Sequence, residues 1–247
     1  MSERDHRAVE GPVQGHGAGH ETASVGEPGV RIHPPAGPHL PRGEPPAARG
    51  LRWISAFERQ GYRPAVEIFV GREAYLRVCE HAESDMEREV GGGLAGRIVL
   101  DQAGQRSFVV IEAAIPGRHT RQGNAYITFT QETLVALHDE VEALQPEARL
   151  VGWYHTHPRM GVFLSGYDRW LHHHFFPEPW QVALVIEPHS QMGGFFIREP
   201  SGEMPAREYA GFFEVLEPDQ PSAARWTNLE THQKADEARE NDEVTHE

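Results

Sequence analysis

Cysteine is almost absent from this 247-residue chain: Cys79 stands alone. A single thiol excludes an intramolecular disulfide and any cysteine-rich zinc site. Cys79 is expected to act as a small buried hydrophobe. Positive charge is also scarce. Against 37 acidic side chains there are 23 basic ones, giving a formal charge of −14 at pH 7. That balance argues against sequence-independent binding to nucleic acid or to an anionic membrane, since both need clustered cations. No apolar run approaches the roughly 20 residues of a membrane span. No apolar stretch follows the start, Met-Ser-Glu-Arg-Asp-His-Arg, so no secretory signal is visible. The expectation is a reducing, cytoplasmic setting.

Large apolar side chains are sparse in residues 1–50, where Gly, Pro, His and Ala dominate. Such a segment cannot bury enough surface to offset its ordering entropy and is expected to be disordered. Its scattered histidines (His6, His16, His20, His33, His39) have irregular spacing and read as a solvated tail. Residues 51–217 read as one domain. Residues 218–247 are acidic and polar, a solvated tail with at most a marginal helix around Glu230 to Arg239.

Within the domain, Leu51, Trp53, Ile54 and Phe57 suggest a short packing element. Val66–Val70 reads as a strand. Glu73–Ala82 reads as a helix whose apolar face is Ala74, Leu76, Val78, Cys79 and Ala82. Glu89–Leu100 reads as a strand whose glycines imply close approach of another backbone or a ligand. Phe108–Ile115 is a second strand, and Gly117–Tyr126 is polar and turn-like. Thr130–Leu144 is the clearest helix, with Thr130 as N-cap and Leu134, Leu137, Val141 and Leu144 at helical spacing. Leu150–His155 reads as a buried strand, Asp168–Phe176 as a helix carrying Trp170 and Leu171, and Gln181–Glu187 as another buried strand. Gly193–Arg198 and Arg207–Leu216 read as a hairpin or two late strands.

The most informative stretch is Val-Gly-Trp-Tyr-His155-Thr-His157-Pro158-Arg-Met-Gly-Val-Phe-Leu-Ser165-Gly-Tyr-Asp168. Two histidines one residue apart on a strand point to the same side. An aspartate shortly afterwards can complete a site of two imidazoles and one carboxylate, a known catalytic zinc set that leaves the fourth position to water. A His-x-His pair by itself also arises at surfaces and in cores. Here a buried-looking strand ends at the pair, and Pro158 stops it. Ser165 and Asp168, three apart, share a face if a helical turn begins there. His81 and the triplet His172-His173-His174 also invite a metal reading. Consecutive helical residues point about 100° apart, so the triplet cannot surround one ion and reads as helix surface, with one member packed near the site.

These residues resemble the Jab1/MPN/Mov34 (JAMM) metalloproteases, whose pattern is a remote glutamate, then His-x-His-Pro, then Ser-x-x-Asp. The stretch Glu89-Val-Gly-Gly-Gly-Leu-Ala-Gly resembles the segment that carries the family's glutamate. Arg, Ala and Gly are abundant and Lys is rare, which suggests a bacterial member. The resemblance implies an α/β MPN fold, cytidine-deaminase-like, with a curved mixed sheet flanked by helices. It implies Zn²⁺ held by His155, His157 and Asp168, Glu89 as general base, and Ser165 as hydrogen-bond donor to an oxyanion. Glu87 and Glu112 are weaker candidates for the base, and Glu112 also reads as a partner for Arg97. The substrate implied is a bond after the Gly-Gly tail of a ubiquitin-like protein, with activating or conjugating enzymes as partners. The segment Gly117–Thr128 is where such a groove is expected, the tail lying as an added strand at a sheet edge. Three other readings stay open: processing of a sulfur-carrier precursor, a non-catalytic MPN scaffold, and nucleic-acid processing related to the RadC branch, which the acidic balance disfavours.

Overall fold

The computed structural model describes residues 40–44, 50–101, 106–117, 121–123, 126–128, 130–144, 147–216 and 220–231. All of them lie in the unit Leu40–Glu247. Most of the expected N-terminal tail and residues 232–247 of the expected C-terminal tail fall outside the described residues.

In chain order the elements are β1 (Gly50–Ser55), α1 (Ala56–Arg59), β2 (Val66–Gly71), α2 (Arg72–Glu83), β3 (Gly91–Leu100) and β4 (Ser107–Pro116). A short ribbon follows, β5 (Arg121–Gly123) and β6 (Tyr126–Thr128), then α3 (Gln131–Leu144), β7 (Arg149–Thr156) and α4 (Gly166–Phe175). The chain closes with β8 (Val182–Glu187), β9 (Met192–Ile197), β10 (Phe212–Val215) and β11 (Leu229–Thr231). Nine strands form one mixed sheet in the order β11-β1-β10-β2-β4-β3-β7-β8-β9, and β5 pairs with β6 in a separate two-stranded sheet. This is the mixed α/β architecture that the family resemblance implies.

Strand alternation divides the core. On β8, Val182, Leu184 and Ile186 join one apolar cluster, while Ala183 and Val185 join another. The first cluster takes Tyr75, Val78 and Ala82 from α2. The second takes Leu137 and Val141 from α3 and Leu171 from α4. Helices therefore cover both faces of this part of the sheet. The glycines of β3 are placed as their abundance suggests. A Cβ on Gly92 would run into the Ile115 carbonyl, and one on Gly96 into the Val110 carbonyl.

Several expectations need correction. In α2 the buried face includes Tyr75, and Leu76 is 40% exposed, because the turn presents position 75 to the sheet. At the end of α3, Leu144 is exposed, although Thr130 Oγ1 does accept from the Thr133 N–H at 3.2 Å as an N-cap should. Of the two readings for 193–198 and 207–216, that of two separate late strands holds and the hairpin does not. Instead β9 pairs with β8, and β10 lies between β1 and β2. Phe195 and Ala210 make only an isolated bridge. Residues 220–231 are packed on the sheet: Trp226 and Leu229 are buried, and Glu230, expected in a helix, lies in β11.

Buried carboxylates hold the connections. Glu58 accepts from the Ser55 N–H at 3.0 Å and from the Gly211 N–H at 2.6 Å, and it pairs with Arg52. Glu214, fully buried in β10, accepts from Trp53 Nε1 and from Ser222, Ala223 and Ala224. Glu187 accepts from the backbone N–H groups of Arg159, His189 and Ser190 at the end of β8.

Candidate metal centre

Three elements meet where β7 ends. Gly91 of β3 is in register with His155 of β7. The Thr156 N–H donates to the Val90 carbonyl at 2.8 Å, and Thr156 Oγ1 accepts from the Val90 N–H at 2.9 Å. This double contact fixes Val90 immediately before β3, and with it Glu89 one residue earlier, beside the end of β7. The His157 N–H donates to the Ile186 carbonyl of β8 at 2.8 Å. The strand ends at Thr156, so His157 sits just past it with Pro158 behind.

Asp168 arrives from α4 through a capping box. Ser165 is the N-cap, and its Oγ accepts from the Asp168 N–H at 3.1 Å. In return Asp168 Oδ2 accepts from the Ser165 N–H at 2.6 Å. The reciprocal pair satisfies two backbone donors of the first turn and fixes the carboxylate rotamer. Its other oxygen, Oδ1, lies 3.4 Å from His155 Nε2.

His155 Nε2 and His157 Nε2 lie 2.9 Å apart, and His157 Nε2 is 3.7 Å from Asp168 Oδ2. One donor atom from each of these three residues lies within 4.8 Å of the others. Zinc bonded tetrahedrally at about 2.0–2.2 Å sets neighbouring ligand atoms roughly 3.3 Å apart. The imidazole nitrogens at 2.9 Å, Oδ1 of Asp168 at 3.4 Å from one and Oδ2 at 3.7 Å from the other all lie near that value, so the donor set fits such an ion. Glu89 Oε1 is 3.9 Å from His157 Nε2, one step beyond the ligand triangle. All four side chains are buried, with exposures of 0% for His155, 3% for His157, 4% for Asp168 and 2% for Glu89.

The electrostatics suit cation binding. Burial, followed by the neighbouring His155, pushes His157 down to about 3, which keeps this imidazole neutral and able to offer a lone pair. For Asp168 burial acts upward, but His155 and hydrogen bonds from His155 and Ser165 outweigh it and hold the carboxyl well below its usual range. Both Nδ1 atoms of the histidine pair are buried and have no hydrogen-bond partner among the described residues.

The other candidates do not converge on this point. Glu87 is exposed and forms a two-pronged pair with Arg159 at 2.9 and 3.0 Å. Glu112 accepts from Arg97, the alternative anticipated for it. His81 contacts the Tyr154 hydroxyl at 2.8 Å, while Tyr154 belongs to the α2-side cluster. His155, His157 and Asp168 are the one such ligand group among the described residues. Of the histidine triplet, His173 and His174 are exposed, but His172 is fully buried. It accepts from Trp153 Nε1 at 3.1 Å, and the Trp153 ring lies stacked on His155 with centroids 4.6 Å apart. Sequence reasoning missed Trp153. Its position two residues before His155 on a strand was the available signal.

Residues 65–176 match the family model described as JAB1/Mov34/MPN/PAD-1 ubiquitin protease. This span, a little under half of the chain, is similar to the domain of that family. The matched span of this JAB1/MPN domain contains Glu89, His155, His157, Ser165 and Asp168. COP9 signalosome complex subunit 5 of Caenorhabditis elegans is 32% identical over 164 residues, 61% of this chain and 42% of its own length. The subunit of the same name from Drosophila melanogaster is 28% identical over 61% of this chain and 47% of its own. STAM-binding protein-like of Xenopus laevis is 28% identical over 68% of this chain and 36% of its own. The chain thus spans less than half the length of each of these relatives. Among the described residues no helix is long and apolar enough to cross a membrane.

Proposed function

We propose that this chain is a zinc isopeptidase that hydrolyses the bond after the C-terminal Gly-Gly of a ubiquitin-like protein. The observation that carries the reading is the convergence of His155, His157 and Asp168 at 2.9–3.7 Å, with the buried carboxylate of Glu89 beside them. Similarity to a family described as ubiquitin proteases supports the substrate class. Zinc held by the three ligands would supply Lewis acidity toward water and the scissile carbonyl.

The chain's own residues do the rest. Glu89 takes a proton from the attacking water and returns it to the departing amine. Its burial removes competing solvent from that transfer. Ser165 Oγ already accepts from the Asp168 N–H, which leaves its own O–H to donate to the oxyanion. The edges of the β5–β6 ribbon offer an extended Gly-Gly tail a strand to pair with.

The test is cleavage of Gly-Gly isopeptide conjugates by the zinc-loaded full chain. Cleavage is expected, stopped by a chelator and restored by zinc. Glu89→Gln is expected to keep its zinc and lose about 10²–10⁴-fold in turnover. Failure of the zinc-loaded chain on every Gly-Gly conjugate, or a fully loaded Glu89→Gln variant as fast as wild type, overturns the proposal.

A further inference from the structure

A cavity of about 480 Å³ opens beside α4. Arg169, His173, Arg198, Ser201 and Glu203 are among its lining residues. Arg169 and His173 are four apart on α4 and so share one helix face. Asp168, one residue earlier, is turned about 100° away, toward the metal centre.

Arg198 is the unusual member. It follows β9 and is only 9% exposed. Its two terminal nitrogens donate to the carbonyls of Gly202 and Phe176, each at 3.0 Å. Its Nε is buried without a partner among the described residues. Burial with no carboxylate beside it lowers the guanidinium below its ordinary value. A buried guanidinium is normally paired with an acid. Among the described residues, no acid lies within ion-pairing distance of Arg198, Arg169 or His173. In a chain of formal charge −14, two arginines and a histidine gathered on one cavity against a single acid, Glu203, which pairs with none of them, are an exception.

We infer that this cavity binds a phosphate group. Two guanidinium groups and an imidazole suit a dianion better than a monoanion, and a planar guanidinium presents paired donors to phosphate oxygens. The Ser201 hydroxyl adds a neutral donor. Glu203 is the opposing charge in the lining and limits affinity.

Calorimetric titration of the zinc-loaded full chain with inorganic phosphate, against chloride at matched ionic strength, tests the assignment. Saturable binding of one phosphate is expected, with acetate weaker. Arg169→Ala is expected to weaken binding about tenfold, since it removes a charge-assisted hydrogen bond from an exposed position without touching the fold. Glu203→Gln is expected to tighten binding, and Arg77→Ala, remote from the cavity, to leave it unchanged. Because Arg198 also ties two backbone carbonyls, Arg198→Gln is read only alongside its thermal melt. A glycerol phosphate arm separates the sources: binding of both probes marks a phosphate carried on a larger molecule, and binding of the inorganic ion alone marks the free ion. Phosphate coordinating the zinc would be indifferent to Arg169. No saturable binding, or an Arg169→Ala affinity within about twofold of wild type, overturns the assignment.

Discussion

Trp153 links the metal centre to a buried neutral histidine. Its ring lies on His155, and its Nε1–H donates to His172. Burial, then Arg198 and His173, depress His172 from 6.5 to about 3. The folded value lies below the unfolded one, so the stability that neutral His172 contributes is complete above about pH 6.5. It is lost as pH falls through the interval down to about 3. Across that interval the wild type is expected to lose up to about 1.4 kcal/mol per pH unit more than His172→Gln, which keeps an acceptor but cannot ionise. Urea unfolding at pH 7, 5.5 and 4.5 measures this, and parallel stability curves for the two proteins would contradict it. At this scale the convergence of the candidate ligands was legible in the sequence because period-2 alternation and a three-residue helical step are local rules. The Trp153–His172 contact spans 19 residues and two elements, and no local rule announces it.

At the scale of elements, one capping box does two jobs: it starts α4 and it aims Asp168. Ser165→Ala is expected to cost about 1 kcal/mol of stability through the lost cap. It is also expected to weaken zinc binding by about tenfold or more, because a group that orients a ligand is lost. Ser165→Thr, which restores the cap oxygen, is expected to recover the affinity. Competition with a chromogenic chelator measures both variants, and unchanged zinc affinity in Ser165→Ala would separate the cap from the site. Gly92 makes the same point for β3. Gly92→Ala pushes a methyl into the Ile115 carbonyl beside Glu89 and is expected to lower the melting temperature and the activity together. Most elements could be read from periodicity, since β2, β4, β7 and β8 are dense apolar runs between polar turns. The face of α2 was misassigned at Leu76 because the choice between positions 75 and 76 depends on how the helix sits on the sheet.

At the scale of the folded unit, the sheet is closed by distant partners. β10 inserts in parallel beside β2 and antiparallel to β1, and β11 covers β1. Glu214 secures this arrangement from within by accepting from Trp53 on one side and from residues 222–224 on the other. Glu214→Ala removes four hydrogen bonds to a buried carboxylate from part-buried donors, and bonds to a charged group are worth about 1.5–3 kcal/mol each. It is expected to cost at least about 3 kcal/mol in urea unfolding, with zinc bound per folded molecule unchanged. A smaller cost would mean that water reaches the freed donors. These late strands were the least legible part of the chain. Acidic, polar composition read residues 220–231 as a tail, although Trp226 and Leu229 are buried in the core.

The central claim is that His155, His157 and Asp168 hold one divalent ion while Glu89 stands outside its ligand set. Zinc content per chain, measured by mass spectrometry after loading and desalting, addresses it most directly. One equivalent is expected in the wild type and in Glu89→Gln, and less than about a tenth of an equivalent in Asp168→Ala, which lacks one of three ligands. A wild-type chain that retains no zinc, or an Asp168→Ala variant that retains a full equivalent, would contradict the account.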